Sequence, residues 1–176
     1  MVTVREAKLE DIKDIAKVHV DSWRTTYHEI IPIDYLNSLN YKEFEDKWKS
    51  RSLKGVFVAQ DEMDSVFGFA SFGPIRSEQE GYDGELYAIY LLEERQRQGA
   101  GRALLAKGAE GAEYLLQHGF SSMFVWVIEQ NPSIIFYQAY SPERVAEDNF
   151  EIAGVRLKEV GLGWPDLSAL KTLLNR

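Results

Sequence analysis

The residues best suited to chemistry lie in Gln96-Arg97-Gln98-Gly99-Ala100-Gly101-Arg102. They follow the apolar run Leu86–Leu92 and precede an amphipathic stretch that carries Leu104 and Leu105. A strand, a glycine-bearing turn and a helix in that order aim backbone N–H groups at an anion. The first N–H groups of a helix lack internal partners, and the aligned peptide dipoles favour negative charge there. Gly99 and Gly101 let the main chain approach a phosphate with no Cβ in the way, and Arg95, Arg97 and Arg102 add cations. The segment reads as a pyrophosphate seat. It is not a Walker loop, because no Lys-Ser or Lys-Thr follows the glycines. Nor is it a dinucleotide turn, because the third position after Gly101 is the bulky Leu104.

What remains, Gln96-x-x-Gly99-x-Gly101, resembles the coenzyme A segment of the GCN5-related N-acetyltransferase family. Glu85 lies eleven residues before Gln96, where some members of that family place a catalytic glutamate. Asn131-Pro132-Ser133-Ile134-Ile135-Phe136-Tyr137 is similar to the helix whose Tyr meets the coenzyme sulfur. Val4-Arg5-Glu6-Ala7 with Asp11-Ile12, Ser22-Trp23-Arg24 with Tyr27, and Ile31-Pro32 extend the likeness over nearly the whole chain. Where the family often has a glycine-containing turn after Tyr140, this chain has Ser141-Pro142.

The resemblance implies a cofactor strand splayed from its neighbour, with backbone groups of Ile89, Tyr90 and Leu91 holding the pantetheine arm and the thioester oxygen. Gln96, Arg97, Gln98, Gly99, Ala100, Gly101 and Arg102 would seat the pyrophosphate of acetyl-CoA, and Asn131 would bond the pantetheine amides. Tyr137 would protonate the leaving thiolate, and it also counts among the cofactor contacts. Glu85 is the candidate base, directly or through water, with His19 and His28 as further candidates. Trp23 and Tyr27, together with Glu85, are expected at the acceptor, and Trp48 and Trp126 are further candidates for its walls.

Composition narrows the partners. The chain has 176 residues, 20 Lys and Arg against 28 Asp and Glu, a net charge of −8, and no cysteine. Such a field disfavours nucleic acid and anionic membranes and favours cationic small molecules or basic peptides. Without Cys there is neither a disulfide nor a thiolate metal site, and no metal is expected. A thioenzyme is excluded too, so the acetyl group is expected to pass directly to a primary amine in a ternary complex, on a small molecule or a peptide terminus. A non-catalytic acyl-CoA-binding module of the same fold is the alternative. No signal layout or membrane-length apolar run is present, so the cytoplasm is expected. The acceptor's identity and a homodimer are left open.

These residues need a scaffold. Residues 1–176 are expected to form a single α/β domain with a mixed, mostly antiparallel sheet and flanking helices. Val2–Arg5 reads as a strand. Ile12, Ile15, Ala16, His19 and Val20 recur at helical spacing, and Leu36, Leu39, Phe44 and Trp48 suggest a second helical region. Val56–Ala59 and Val66–Phe72 flank a turn at Asp61–Asp64, as a hairpin does. A helix after Gly101 with Ala109, Ala112, Leu115 and Leu116 would stop at Gly119. Met123–Ile128 reads as a central strand, Pro132–Tyr140 as a helix, Ala153-Gly154 as a hairpin turn, Val160–Trp164 as the end of the sheet, and Asp166–Leu174 as a closing helix.

Overall fold

The computed structural model describes residues 2–76, 79, 81–115 and 120–175, with the backbone alone for 111–115. Along the chain run β1 (Thr3–Glu6), α1 (Ile12–Thr26), α2 (Ile33–Ser38), α3 (Tyr41–Lys49), β2 (Val56–Gln60), β3 (Val66–Pro74) and β4 (Gly84–Leu91). There follow α4 (Ala100–Leu115), β5 (Met123–Ile128), α5 (Ile134–Gln138), β6 (Glu143–Ile152), β7 (Val155–Trp164) and α6 (Leu167–Leu174). The strands form one sheet in the order β1-β2-β3-β4-β5-β7-β6. Every neighbouring pair is antiparallel except β4 and β5, which run parallel.

Apolar cores cover both faces of the sheet. Phe57 and Ala59 turn to one face with Leu104, Leu105 and Leu170, while Val56 and Val58 turn to the other with Ile15, Leu36 and Trp48. That is the two-residue period of a strand read out in packing. In β4 the period is interrupted. Phe72 pairs with Leu86 and Ser71 with Ala88, so Tyr87 is an inserted residue. Leu86 joins the α4 core, and beyond the bulge it is Ile89 and Leu91 that pack there, while Ala88 and Tyr90 turn to the α1 side. A bulge of this kind bends its strand and re-aims the side chains that follow.

The bend coincides with a split in the sheet. β4 pairs with β5 only at Gly84–Met123 and Glu85–Phe124, after which the strands part. Their junction is tightly tied. Asp83 accepts from the Ser121 and Ser122 N–H groups (2.9 and 3.0 Å) and from the Ser122 hydroxyl (2.6 Å). Burial alone would raise the Asp83 carboxyl pKa, but these hydrogen bonds outweigh it and hold the group below its ordinary value. Gly84 permits the contact itself, because a Cβ there would lie 2.8 Å from the Ser122 carbonyl oxygen.

The expected fold is present, with local differences. The region around Leu36 and Trp48 is two helices, broken at Leu39 and Asn40, where Asn40 caps α3 by accepting from Glu43 N–H at 2.8 Å. The helix anticipated from Pro132 begins at Ile134 and has five residues, because Asn131 and Pro132 form the turn that starts it. Val160–Trp164 is the second half of β7, the last strand along the chain, and its hairpin partner β6 reaches back to Glu143, an extent that its mostly exposed residues did not signal. Ala153 and Gly154 both take positive φ (51° and 76°), as a tight hairpin turn requires. Ser141, standing where a glycine was expected, also adopts a positive φ, 51°. The anticipated stop at Gly119, with Leu116, lies outside the described residues, as do the side chains of Ala112 and Leu115.

Candidate active site

The parting of β4 and β5 opens a cavity of about 800 Å³. One wall is Tyr87–Leu91 and the other Val125–Ile128, with α5 above and the start of α4 at one end. Beyond Glu85 the edge of β4 facing this space has no strand partner among the described residues, which leaves backbone groups along it available to a ligand. Ile89, Tyr90 and Leu91 all line it. The Leu91 carbonyl accepts from the Ser22 hydroxyl (3.1 Å) and from Gln96 Nε2 (3.3 Å), fixing the strand's exit.

At the α4 end, the first helical hydrogen bond is Ala103 N–H to the Gly99 carbonyl, 3.0 Å. The N–H groups of Ala100, Gly101 and Arg102 are therefore not taken up within the helix. Gly99 sits at φ +84° with no other group within 4 Å of where its Cβ would be. Arg97 holds φ +60°, a conformation a non-glycine residue adopts at some cost. Alternation of this kind turns successive N–H groups toward one point, a concavity suited to anions. Gln96, Arg97, Gly99, Gly101 and Arg102 line the cavity.

Four side chains in and beside this segment are engaged elsewhere. Arg95 pairs with Asp61 at 2.8 Å and lies over the Phe67 ring, so it is not a cation of the turn. Gln98 bonds back to the Glu94 carbonyl, and Ala100 is buried in the core. These last two can contribute to the seat through backbone alone. Arg102 donates its Nε to the Leu174 carbonyl (2.7 Å), which ties α4 to the end of α6.

Midway along the cavity stand three phenols. Tyr137 is buried, and burial, with Tyr90 adding to it, drives its pKa well above the ordinary value. Tyr27 is raised by burial and then by Tyr90, and Tyr90 is raised by burial. All three therefore stay protonated and can donate. Asn131 joins them, its Nδ2 donating to the Tyr27 hydroxyl at 3.4 Å, while its Oδ1 accepts from Ser133 N–H at 2.8 Å. Structural cap and cavity lining coincide in this one residue. Among the described residues the buried Trp23 indole N–H has no hydrogen bond of good geometry, although it lies close enough to perturb Tyr90.

The far side of the cavity carries Trp23, Tyr27, Trp126, Phe150, Ile152 and Glu159. Glu159 escaped the sequence reading. It stands on β7 opposite Asp148 and Ile128, and among the described residues it has no hydrogen-bond or ion-pair partner. Burial, then Asp148 and Glu85, raises its carboxyl above the usual range. A perturbed, unpaired carboxylate in a cleft is a functional candidate. The available signal was a carboxylate two positions after the buried Leu157, on the inward set of an alternating strand.

Glu85 is placed differently from what its sequence position suggested. Its carboxylate is buried and accepts from Arg76 N–H (2.8 Å), Nη2 (2.6 Å) and Nε (3.2 Å), and it does not line the cavity. Among the histidines, His28 is exposed at the end of α1, outside the cavity. His19 is packed among Phe44, Trp48, Phe69 and Tyr90. Its pKa falls to about 3 through burial and the nearby Arg51 and Lys47, too low for a base at neutral pH.

Comparison with known proteins agrees with this geometry. The profile of the Acetyltransferase (GNAT) family matches residues 16–140. A Bacillus subtilis (strain 168) protein named Uncharacterized N-acetyltransferase YuaI is 97% identical over 176 residues, all of both chains. Among solved structures, YncA of Salmonella typhimurium, determined with its cofactor acetyl-CoA, superposes with a TM-score of 0.68 at 23% identity, covering 95% of this chain and 94% of that one. PaiA N-acetyltransferase of Thermoplasma acidophilum, in complex with coenzyme A, gives 0.64 at 20% identity, covering 91% and 98%.

Proposed function

This chain belongs to the acetyltransferase (GNAT) family, and from that premise we propose that it moves the acetyl group of acetyl-CoA directly to a primary amine held between Tyr87 and Glu159. It is an acetyltransferase with acetyl-CoA as co-substrate. The observation that carries the finer reading is the split sheet. One end of the cavity offers unpaired helical N–H groups and cations, its middle offers an unpaired strand edge and three phenols, and its far side offers a carboxylate.

In this reading the N–H groups of Ala100, Gly101 and Arg102, with Arg97, hold the pyrophosphate. The free edge of β4 at Ile89–Leu91 and the Asn131 side chain align the pantetheine arm, and backbone N–H groups of that edge meet the charge that develops on the thioester oxygen. Tyr137 donates a proton to the departing sulfur. Glu159 attracts the ammonium form of the acceptor and takes its proton, in place of Glu85. A carboxyl with raised pKa accepts a proton more readily at neutral pH than an ordinary one. Glu85 instead fixes Arg76 beside β4. Direct transfer is supported by the absence of cysteine from the sequence.

Paired substitutions test the assignment of the base. Glu159→Gln is expected to lower kcat/KM by about 10²-fold or more and to flatten its rise with pH. Glu85→Gln is expected to lower thermal stability, by weakening the hydrogen bonds that the buried side chain accepts from Arg76 N–H, Nε and Nη2, with a smaller effect on turnover in the folded protein. The reverse pattern would return the role of base to Glu85.

A further inference from the structure

Adjoining the active-site cleft at Tyr90 is a second cavity, of about 1010 Å³, between α1, the end of α3 and the strands β3 and β4. The two share Trp23, Tyr87, Ala88 and Tyr90 as lining. A molecule that presents its amine beside β4 therefore lies against the same side chains that bound the second space. Nothing in the acetyl-transfer chemistry described above uses that space.

Its charge runs against that of the whole molecule. The chain has a net charge of −8, yet the described lining of this cavity contains Arg51, Lys54 and Arg76 and no carboxylate. Arg76 is balanced by Glu85 and lies 4.0 Å from the centre of the Tyr87 ring. Arg51 is different. It rests over the Trp48 ring at 5.7 Å and, among the described residues, has no carboxylate partner. At the floor, Trp48 Nε1 donates to His19 Nδ1 at 3.3 Å, so the neutral imidazole carries its proton on Nε2 as a donor. The His19 ring is kept neutral by burial and by the positive potential of Arg51 and Lys47, the same potential that an anion would relieve. The Ser71 side chain adds a hydroxyl to the lining.

We propose that this second cavity is an anion subsite of the acceptor, in which Arg51 and the Nε2–H of His19 receive a carboxylate or phosphonate carried by the amine substrate. The inference rests on the acetyl-transfer reading and deepens it. The acceptor is a zwitterion, with its ammonium toward Glu159 and its oxyanion toward Arg51. Guanidinium and oxyanion match in geometry as well as charge, and a partly desolvated pairing of this kind is stronger than one at the open surface.

The test separates binding from turnover. Quenching of Trp23 and Trp48 fluorescence is followed as 4-aminobutyrate, 3-aminopropylphosphonate and the neutral-tailed 4-aminobutyramide are added, and thiol release from acetyl-CoA is measured with the same three amines. Binding of at least one oxyanion compound about 10-fold tighter than the amide is expected, and the preferred one tells carboxylate from phosphonate. Arg51→Gln should bring that ratio close to one, and Arg51→Lys, which keeps the charge, should retain part of it. Equal affinity for acid and amide, binding of none of the three, or an unchanged ratio in Arg51→Gln would overturn the subsite. Selective, Arg51-dependent binding without thiol release from any of these amines would support the subsite while counting against amine acetylation.

Discussion

Gly84 sits in the two-residue junction after which β4 and β5 part, and the width of the cavity is set from there. An alanine Cβ would lie 2.8 Å from the Ser122 carbonyl oxygen, so reaching ordinary contact requires the strands to move apart by about 0.6 Å. Asp83 resists that movement through its bonds to Ser121 and Ser122. Overpacking of this sort costs about 1–3 kcal/mol, which for a chain of this size lowers Tm by roughly 2–12 °C. The displacement also has leverage, because the strands already diverge beyond the junction and Val127 and Ile128 lie further along it. Misplacement approaching 1 Å costs on the order of 10²-fold in rate, so Gly84→Ala is expected to lose about 10-fold or more in kcat/KM for acetyl-CoA. Calorimetry and steady-state thiol release on the same preparation measure both effects. A variant with lowered Tm but wild-type kcat and KM would refute the idea that this junction sets the cleft's geometry.

Tyr137→Phe keeps the ring that packs against Phe136 and Trp164 and removes only the hydroxyl. Its kcat is expected to fall by roughly 10²–10⁴-fold with acetyl-CoA affinity retained, as steady-state kinetics and titration calorimetry would show, and an unchanged kcat would assign proton delivery to water. His19 gives a pH signature. Its folded pKa of about 3 lies below the ordinary 6.5, so the unfolded chain binds more protons between those values and stability is lost as pH falls through that window. From pH 6.5 to pH 5, urea unfolding should show about 2 kcal/mol less stability in the wild type from this group, and His19→Gln should lose less over the same interval.

Much of this was legible before any coordinates. The Gly99–Gly101 turn could be read because backbone access and helix polarity leave a local trace in residue type. Trp23, Tyr27, Trp126, Asn131 and Tyr137, all singled out by residue type or motif, line the same cavity, whereas Trp48 lines the second one. What stayed hidden depends on contacts distant in sequence. Arg95 looked like a phosphate cation until Asp61, thirty-four positions away, took its charge. Glu85 looked available until Arg76 closed on it from the preceding loop. Glu159 and Arg51 carried no motif, since a lone charge on a strand or after a helix is usually solvated. Only the fold sets one at the far wall of the cleft and the other beside its second cavity.

The most direct measurement for the central claim is the melting temperature with and without acetyl-CoA, in the wild type and in Gly101→Val. The branched side chain would meet Phe136 and Leu91, which already stand 3.3 and 3.4 Å from an added Cβ, and would crowd the first free N–H groups of α4. Acetyl-CoA at 100 times its Kd should stabilise the wild type by about 2.7 kcal/mol, a rise on the order of 5–10 °C, and Gly101→Val should remain folded without that rise. No shift in the wild type at millimolar acetyl-CoA, or an equal shift in the variant, would contradict a coenzyme seated at the split between β4 and β5.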